Sequence, residues 1–206
     1  LREKMKTIPD AIDDVKEDFS DILKWAIDFK RMWKSADEIA TNFHPLADLA
    51  IGSIYEKPST RTRVSFEVGI NRLGGYPLTL LKNDIQLGKS ETVADTANVL
   101  SRFLGAITYR CFAHSDVAEL AANSSVPVIN ALSDKHHPCQ AAADLMTIIE
   151  QFPDNDGLKV AYIGDGNNVL HDLMLACAML GIKIHYACPE GCLLYTSPSP
   201  RDSDTS

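Results

Sequence analysis

Apolar and polar positions change rhythm several times along this chain. Phe19, Ile22, Leu23, Ala26 and Ile27 recur at helical spacing and predict an amphipathic helix over residues 14–33. From residue 49 onward, short apolar runs alternate with helical stretches. Residues 49–55 predict a strand, 62–73 a helix stopped by Gly74 and Gly75, and 77–81 a second strand. A helix over 92–104, a strand over 106–111, a helix over 115–122 capped by Ser115, and a strand over 126–130 complete this first series. Another helix, over 140–151, runs into the turn-rich P-D-N-D-G at 153–157. There the rhythm resumes with a strand over 159–163, a tight loop at 164–168, a helix over 169–180 and a strand over 182–187.

Short apolar strands separated by single helices imply parallel sheets covered on both faces. The expected fold is therefore α/β, with two doubly wound parallel-sheet domains, the second incomplete. The first domain should occupy 1–135, a connecting segment and helix 136–152, and the start of the second domain 153–191. Two strands are too few for a sheet with its own core, so an open edge and an uncovered apolar face on the 169–180 helix are expected. After Gly191 the pattern breaks into C-L-L-Y-T-S-P-S-P-R-D-S-D-T-S. Back-translated, Cys192 to Asp202 resembles read-through into a sequencing adapter, so 192–206 is expected to be a non-native tail, with a natural disordered tail as the alternative. The leading Leu1 similarly suggests a start in mid-sequence.

Composition narrows the classes. At 206 residues and 45% hydrophobic content the chain can bury one or two cores. It contains nothing near the ~18 consecutive apolar residues of a membrane span, and L-R-E-K-M lacks a signal-peptide layout, so a soluble cytoplasmic protein is expected. A formal charge of −8 disfavours general nucleic-acid binding but leaves room for a local basic pocket. The five cysteines show no C-x-x-C spacing, which argues against a zinc site or a disulfide framework.

Hydrogen-bond donors crowd the point where the first strand yields to a helix, in Y-E-K-P-S-T-R-T-R from Tyr55 to Arg63. Ligands of parallel sheets gather at the carboxyl ends of strands, where a helix N-terminus offers free N–H groups and partial positive charge. Ser59, Thr60 and Thr62 add hydroxyls and Arg61 a planar charged fork, a combination suited to phosphate. The competing reading is plain helix capping beside solvated arginines. Arg110 closes the 106–111 apolar run at the same edge, and L-S-D-K-H-H-P-C-Q adds His137 and Gln140. Adjacent His136 and His137 lack the spacing of shared metal ligands. G-D-G at 164–166 does not continue to a third glycine in register and reads as a tight turn rather than a dinucleotide fingerprint. Cys139 has no base–orienter pair beside it in the sequence and reads as structural. No metal, nucleotide or redox cofactor is expected.

Taken together, E-K-x-S-T-R-T-R, the strand-end Arg110 and H-P-x-Q resemble the aspartate/ornithine carbamoyltransferase family over roughly residues 43–191. N-D-I-Q-L-G at 83–88, L-S-D-x-x-H-P-x-Q at 132–140 and G-D-G-N-N at 164–168 resemble its ornithine branch. The resemblance implies a carbamoyl-phosphate-binding domain at 1–135 and the start of an ornithine-binding domain at 153–191. It implies that Ser59, Thr60, Arg61 and Thr62 hold the phosphate, and that Arg110, His137 and Gln140 surround the carbamoyl group with Thr62. Gln86 would reach a neighbouring protomer's site in a homotrimer or a multiple of trimers, Asn168 would touch L-ornithine, and no metal would take part. The implied reaction carries the carbamoyl group of carbamoyl phosphate to the side-chain amine of ornithine, giving citrulline and phosphate. Another amine (putrescine, an acylated ornithine or aspartate) and a non-catalytic carbamoyl-phosphate-binding fragment stay open, because the family's S-M-G and H-C-L-P segments lie beyond residue 191.

Overall fold

In the computed structural model, residues 8, 10–35, 42–154, 157–190 and 192 are described. The expected tail at 192–206 lies outside them apart from Cys192, as does the chain's start at residue 1. A single 3₁₀ turn, Ile12–Val15, precedes helix α1 (Phe19–Ser35), so the predicted first helix is split, with its regular part starting at Phe19. The first series then runs β1 (Ala50–Tyr55), α2 (Thr60–Arg72), β2 (Tyr76–Leu81), α3 (Val93–Leu100), β3 (Ala106–Arg110), α4 (His114–Asn123) and β4 (Val128–Leu132). The second comprises α5 (Pro138–Gln151), β5 (Lys159–Ile163), α6 (Asn168–Met179) and β6 (Lys183–Ala187).

Every strand pairing among the described residues is parallel, as the alternating pattern predicts. The first sheet has the order β2-β1-β3-β4, and β5 pairs with β6 in a second sheet. Adjacent residues of β1 face opposite ways. Ile51 packs with Ile70 of α2, whereas Ile54 joins Ala97, Val117 and Leu120 from the α3 and α4 side. Helices thus cover both faces. Gly52 lets β1 lie close to the end of the α3 segment, since a Cβ there would come within 2.4 Å of a Leu104 methyl and displace that side chain. Helix α2 ends in a Schellman motif: Gly74, at φ +84°, donates to Asn71 O at 3.0 Å, and Gly75 donates to Ile70 O at 2.9 Å.

Several boundaries differ from the predicted ones, among them the start of α2 at Thr60 and the end of α3 at Leu100, and local chemistry accounts for three others. β4 begins at Val128 rather than 126 because the Ser124 hydroxyl holds Val126 N–H in a turn and Pro127 has no N–H to give. Helix α4 starts at His114, so Ser115 is not its cap; the carboxylate of Asp134, from another loop, accepts the His114 N–H at 2.7 Å. Pro138, pre-set for a first helical position, starts α5 two residues before the predicted Gln140 and puts His137 at its N-cap.

A second core joins Phe19 and Leu23 of α1 and Leu145 of α5 to Leu173, Ala176 and Cys177 of α6. The apolar face of α6 is therefore covered, contrary to the sequence expectation: α5 and the Ile12–Val15 turn lie on it. Exposure falls instead on the two-stranded sheet, where Ile163 is 87% and Tyr186 57% exposed. None of the helices among the described residues is long and apolar enough to cross a membrane.

Candidate active site

Strand order fixes where a site can form. From β1 the chain passes to β2 on one side, while β3 lies on the other, so the loops after β1 and β3 diverge and leave a crevice at their carboxyl ends. Tyr55 and Arg110 are paired residues at those ends. The Ser59 hydroxyl oxygen caps α2, accepting the Thr62 N–H at 3.3 Å, so the capping reading of Ser59 holds as geometry. The same cap aims the first turn of α2 into the crevice. Arg110 crosses toward it, with Nη1 3.5 Å from the Thr62 hydroxyl.

Arg110 is short of partners. Its Nε is buried without a hydrogen bond, and among the described residues no carboxylate forms an ion pair with it. Burial lowers its pKa from the usual arginine value, yet a guanidinium stays charged. A half-buried cation with an unused donor, facing a helix N-terminus, is a receptor for an anion. His137 stands within reach of that charge. Burial first, and the Arg110 cation second, push its imidazole down to about 4, so it is neutral near pH 7; its Nδ1 is buried and unpartnered.

A cavity of about 540 Å³ opens beside this edge, lined among others by Lys57, Ser59, Thr60, Arg63 and Lys82. Arg61 lies outside it, on an open groove of the outer face of α2 with Val64, Val68 and Arg72. Arg63 is engaged by Glu67, Nε to Oε1 at 2.9 Å. Gln86 stands on the exposed turn after β2, where its side-chain carbonyl accepts from Ser90 at 3.4 Å. Gln140 is exposed in the first turn of α5 and donates to Asp144 at 2.9 Å. No side-chain hydrogen bond among the described residues joins either glutamine to Arg110, Thr62 or His137. Asn168 opens α6, and its amide donates to Ser133 O at 2.7 Å. The structure thus brings Ser59, Thr62 and Arg110 together, with His137 beside Arg110, and leaves Arg61, Gln86 and Gln140 at the periphery.

Two residues that sequence reasoning passed over organise the surroundings. Glu56, its side chain only 9% exposed, accepts from Phe112 N at 2.9 Å and from Lys82 Nζ at 3.3 Å, tying together the loops after β1, β3 and β2. Its signal was an acidic residue placed inside a run of donors. Asp172 is fully buried in α6 and takes the His137 N–H. The signal there was a carboxylate in the apolar stripe of a predicted helix.

Other candidates resolve to structure. The Cys139 thiol donates to Asn130 O at 3.6 Å, and burial pushes it up to about 12, which keeps it protonated and unfit as a nucleophile. All five cysteines are free. Among the described residues no cluster of three or more His, Cys, Asp or Glu is arranged to hold a metal.

Comparison with known proteins identifies the family. Residues 10–150 match the aspartate/ornithine carbamoyltransferase carbamoyl-P binding domain, and 156–202 match the Asp/Orn binding domain of the same family. The chain is 49% identical over 176 residues to ornithine carbamoyltransferase of Listeria monocytogenes, covering 85% of this chain and 54% of that protein. It is 47% identical over 178 residues to the catabolic ornithine carbamoyltransferase of Thermoplasma volcanium, covering 86% and 56%. The crystal structure of ornithine carbamoyltransferase from Burkholderia thailandensis superposes with a TM-score of 0.85 at 38% identity, covering 93% of this chain and 64% of that one. The chain spans about half the length of the curated relatives it matches.

Proposed function

The chain belongs to the aspartate/ornithine carbamoyltransferase family, and from that premise we propose that the protein carries the carbamoyl group of carbamoyl phosphate to the side-chain amine of L-ornithine. The observation that bears most weight is the under-satisfied Arg110 guanidinium facing the first turn of α2. In this reading the free N–H groups and hydroxyls at Ser59–Thr62 take the phosphate, and Arg110 and His137 donate to the carbamoyl oxygen. A neutral imidazole suits that role, because it donates without adding a second charge beside Arg110. The ornithine amine attacks the carbamoyl carbon, a C–N bond forms as negative charge gathers on the carbonyl oxygen, and the C–O bond to phosphate breaks. Phosphate departs with the bonding electrons and takes the proton that the attacking amine gives up, and citrulline remains. Each donor at that oxygen contributes about 3–4 kcal/mol by the scale of other oxyanion donors.

Arg61 enters through rotation of its exposed side chain about the α2 mouth, Gln140 orients the carbamoyl NH₂ once released from Asp144, and Asn168 lies where the amino acid enters. Gln86 serves a neighbouring protomer in a homotrimer. Free thiols, two of them buried, suit a reducing compartment, and we assign the cytoplasm.

Calorimetric titration of the chain with carbamoyl phosphate tests the binding half of this reading. Heat of binding that inorganic phosphate competes away, with an affinity that Arg110→Ala lowers by about 2–3 kcal/mol, is the expected result. Unchanged affinity in Arg110→Ala would remove Arg110 from the site.

A further inference from the structure

The loop that carries His137 is held from the second unit. Along α6, Asn168, His171 and Asp172 stand at i, i+3 and i+4, which places them on one face. Each grips the 133–137 loop at a different backbone group. Asn168 Nδ2 donates to Ser133 O at 2.7 Å, His171 Nδ1 donates to Lys135 O at 2.8 Å, and Asp172 Oδ2 accepts the His137 N–H at 2.5 Å. Asp172 has no exposed surface, and its other oxygen accepts the Ile12 N–H at 2.7 Å. A third donor, His136 Nδ1, lies 3.3 Å from Oδ2.

We propose that Asp172 is the positioning residue for His137, clamping the loop that bears this imidazole to helix α6 so that its donor geometry beside Arg110 follows the placement of the second unit. The inference rests on the carbamoyl-transfer reading for its kinetic consequence, but the clamp itself is a matter of geometry. A carboxylate buried at an interface needs its donors, and here each donor belongs to a segment outside its own helix. The phosphate grip at Ser59–Thr62 belongs wholly to the first series and is not held by α6. Loss of the clamp should therefore disturb the carbonyl-oxygen donor while sparing phosphate binding.

The test uses the full-length protein carrying Asp172→Asn, which keeps shape and one acceptor but sets an NH₂ against a donor. We expect kcat for citrulline to fall about 10- to 100-fold, the scale of a misplaced reacting group. The KM for carbamoyl phosphate should stay within about twofold, and the His137 imidazole ¹⁵N signals should move. A variant with lowered Tm but unchanged kcat, KM and His137 signals would overturn the proposal, leaving Asp172 a structural contact. If Asp172→Asn does not fold, His171→Ala decides: a kcat lowered about three- to fivefold at constant KM, the worth of one neutral hydrogen bond, supports the clamp, and an unchanged kcat overturns it. If the unmodified protein makes no citrulline, the carbamoyl-transfer reading fails, and the clamp stands or falls on whether Asp172→Asn shifts the His137 signals.

Discussion

Arg110 and Thr62 meet across the crevice between β3 and α2, guanidinium nitrogen to hydroxyl at 3.5 Å, and this long contact leaves most of the arginine's donor capacity unspent. Residues 48 positions apart in sequence are brought together because β1 and β3 are parallel neighbours whose following loops part. Arg110→Ala should weaken carbamoyl phosphate binding by about 2–3 kcal/mol, the scale of charge-assisted hydrogen bonds. Arg61→Ala, on the outer face of α2, should weaken it by less, because that side chain has to rotate in before it can touch the ligand. Calorimetry on both variants separates the two arginines: a larger loss in Arg61→Ala would show that the ligand reorganises the α2 mouth.

Glu56 ties the loops after three strands through Phe112 N and Lys82 Nζ. Glu56→Ala strands a backbone N–H that had a charged acceptor and should cost about 1–3 kcal/mol of stability. Urea unfolding followed by circular dichroism measures this. A midpoint equal to that of the unmodified chain would mean that water replaces the carboxylate at no cost.

Much of this was legible in the sequence because it depends on local pattern. Apolar runs with single helices between them gave parallel sheets, Gly74 and Gly75 marked the end of α2, and donors at a strand-to-helix junction marked the crevice. What escaped the sequence depends on long-range partners. The cap of α4 is Asp134, 20 residues away, so no local rule could prefer it over Ser115. Helix α6 looked uncovered because its cover comes from α5 and from Ile12 and Val15, near the opposite end of the chain. The inward-facing Asp172 broke an apolar stripe visibly, but its three donors are visible only in the fold.

His136 supplies a pH dependence. Burial alone would lower its pKa, but the hydrogen bond and charge of Asp172, with Asp10 and Asp13, more than offset this and raise it above the ordinary 6.5. Asp14 also acts on it, and the rings of His114 and His171 face it at 5.2 and 5.8 Å. The folded protein thus holds the proton more tightly than the unfolded chain. Its stabilisation is fully present below about pH 6.5 and is lost as pH rises through the raised value. Thermal melts of the unmodified chain and His136→Gln should differ most at pH 6 and converge toward pH 9. A constant difference across that range would show that His136 contributes by packing and not by charge.

Ile163 and Tyr186 present apolar surface on a two-stranded sheet. An exposed sheet of this kind invites pairing with another chain. Ile163→Thr should raise the concentration at which the 206-residue chain begins to aggregate, as followed by light scattering, without changing its affinity for carbamoyl phosphate. Equal aggregation in both proteins would place the sticky surface elsewhere.

The most direct test of the central claim is a citrulline assay on the purified full-length protein with carbamoyl phosphate and L-ornithine, run beside Arg110→Ala and beside putrescine and aspartate as alternative amines. Carbamoyl transfer to ornithine predicts citrulline and phosphate in equal amounts, with kcat lowered about 100- to 1,000-fold in Arg110→Ala, as for loss of an oxyanion donor. Absence of citrulline, preference for another amine, or full turnover without Arg110 would contradict it.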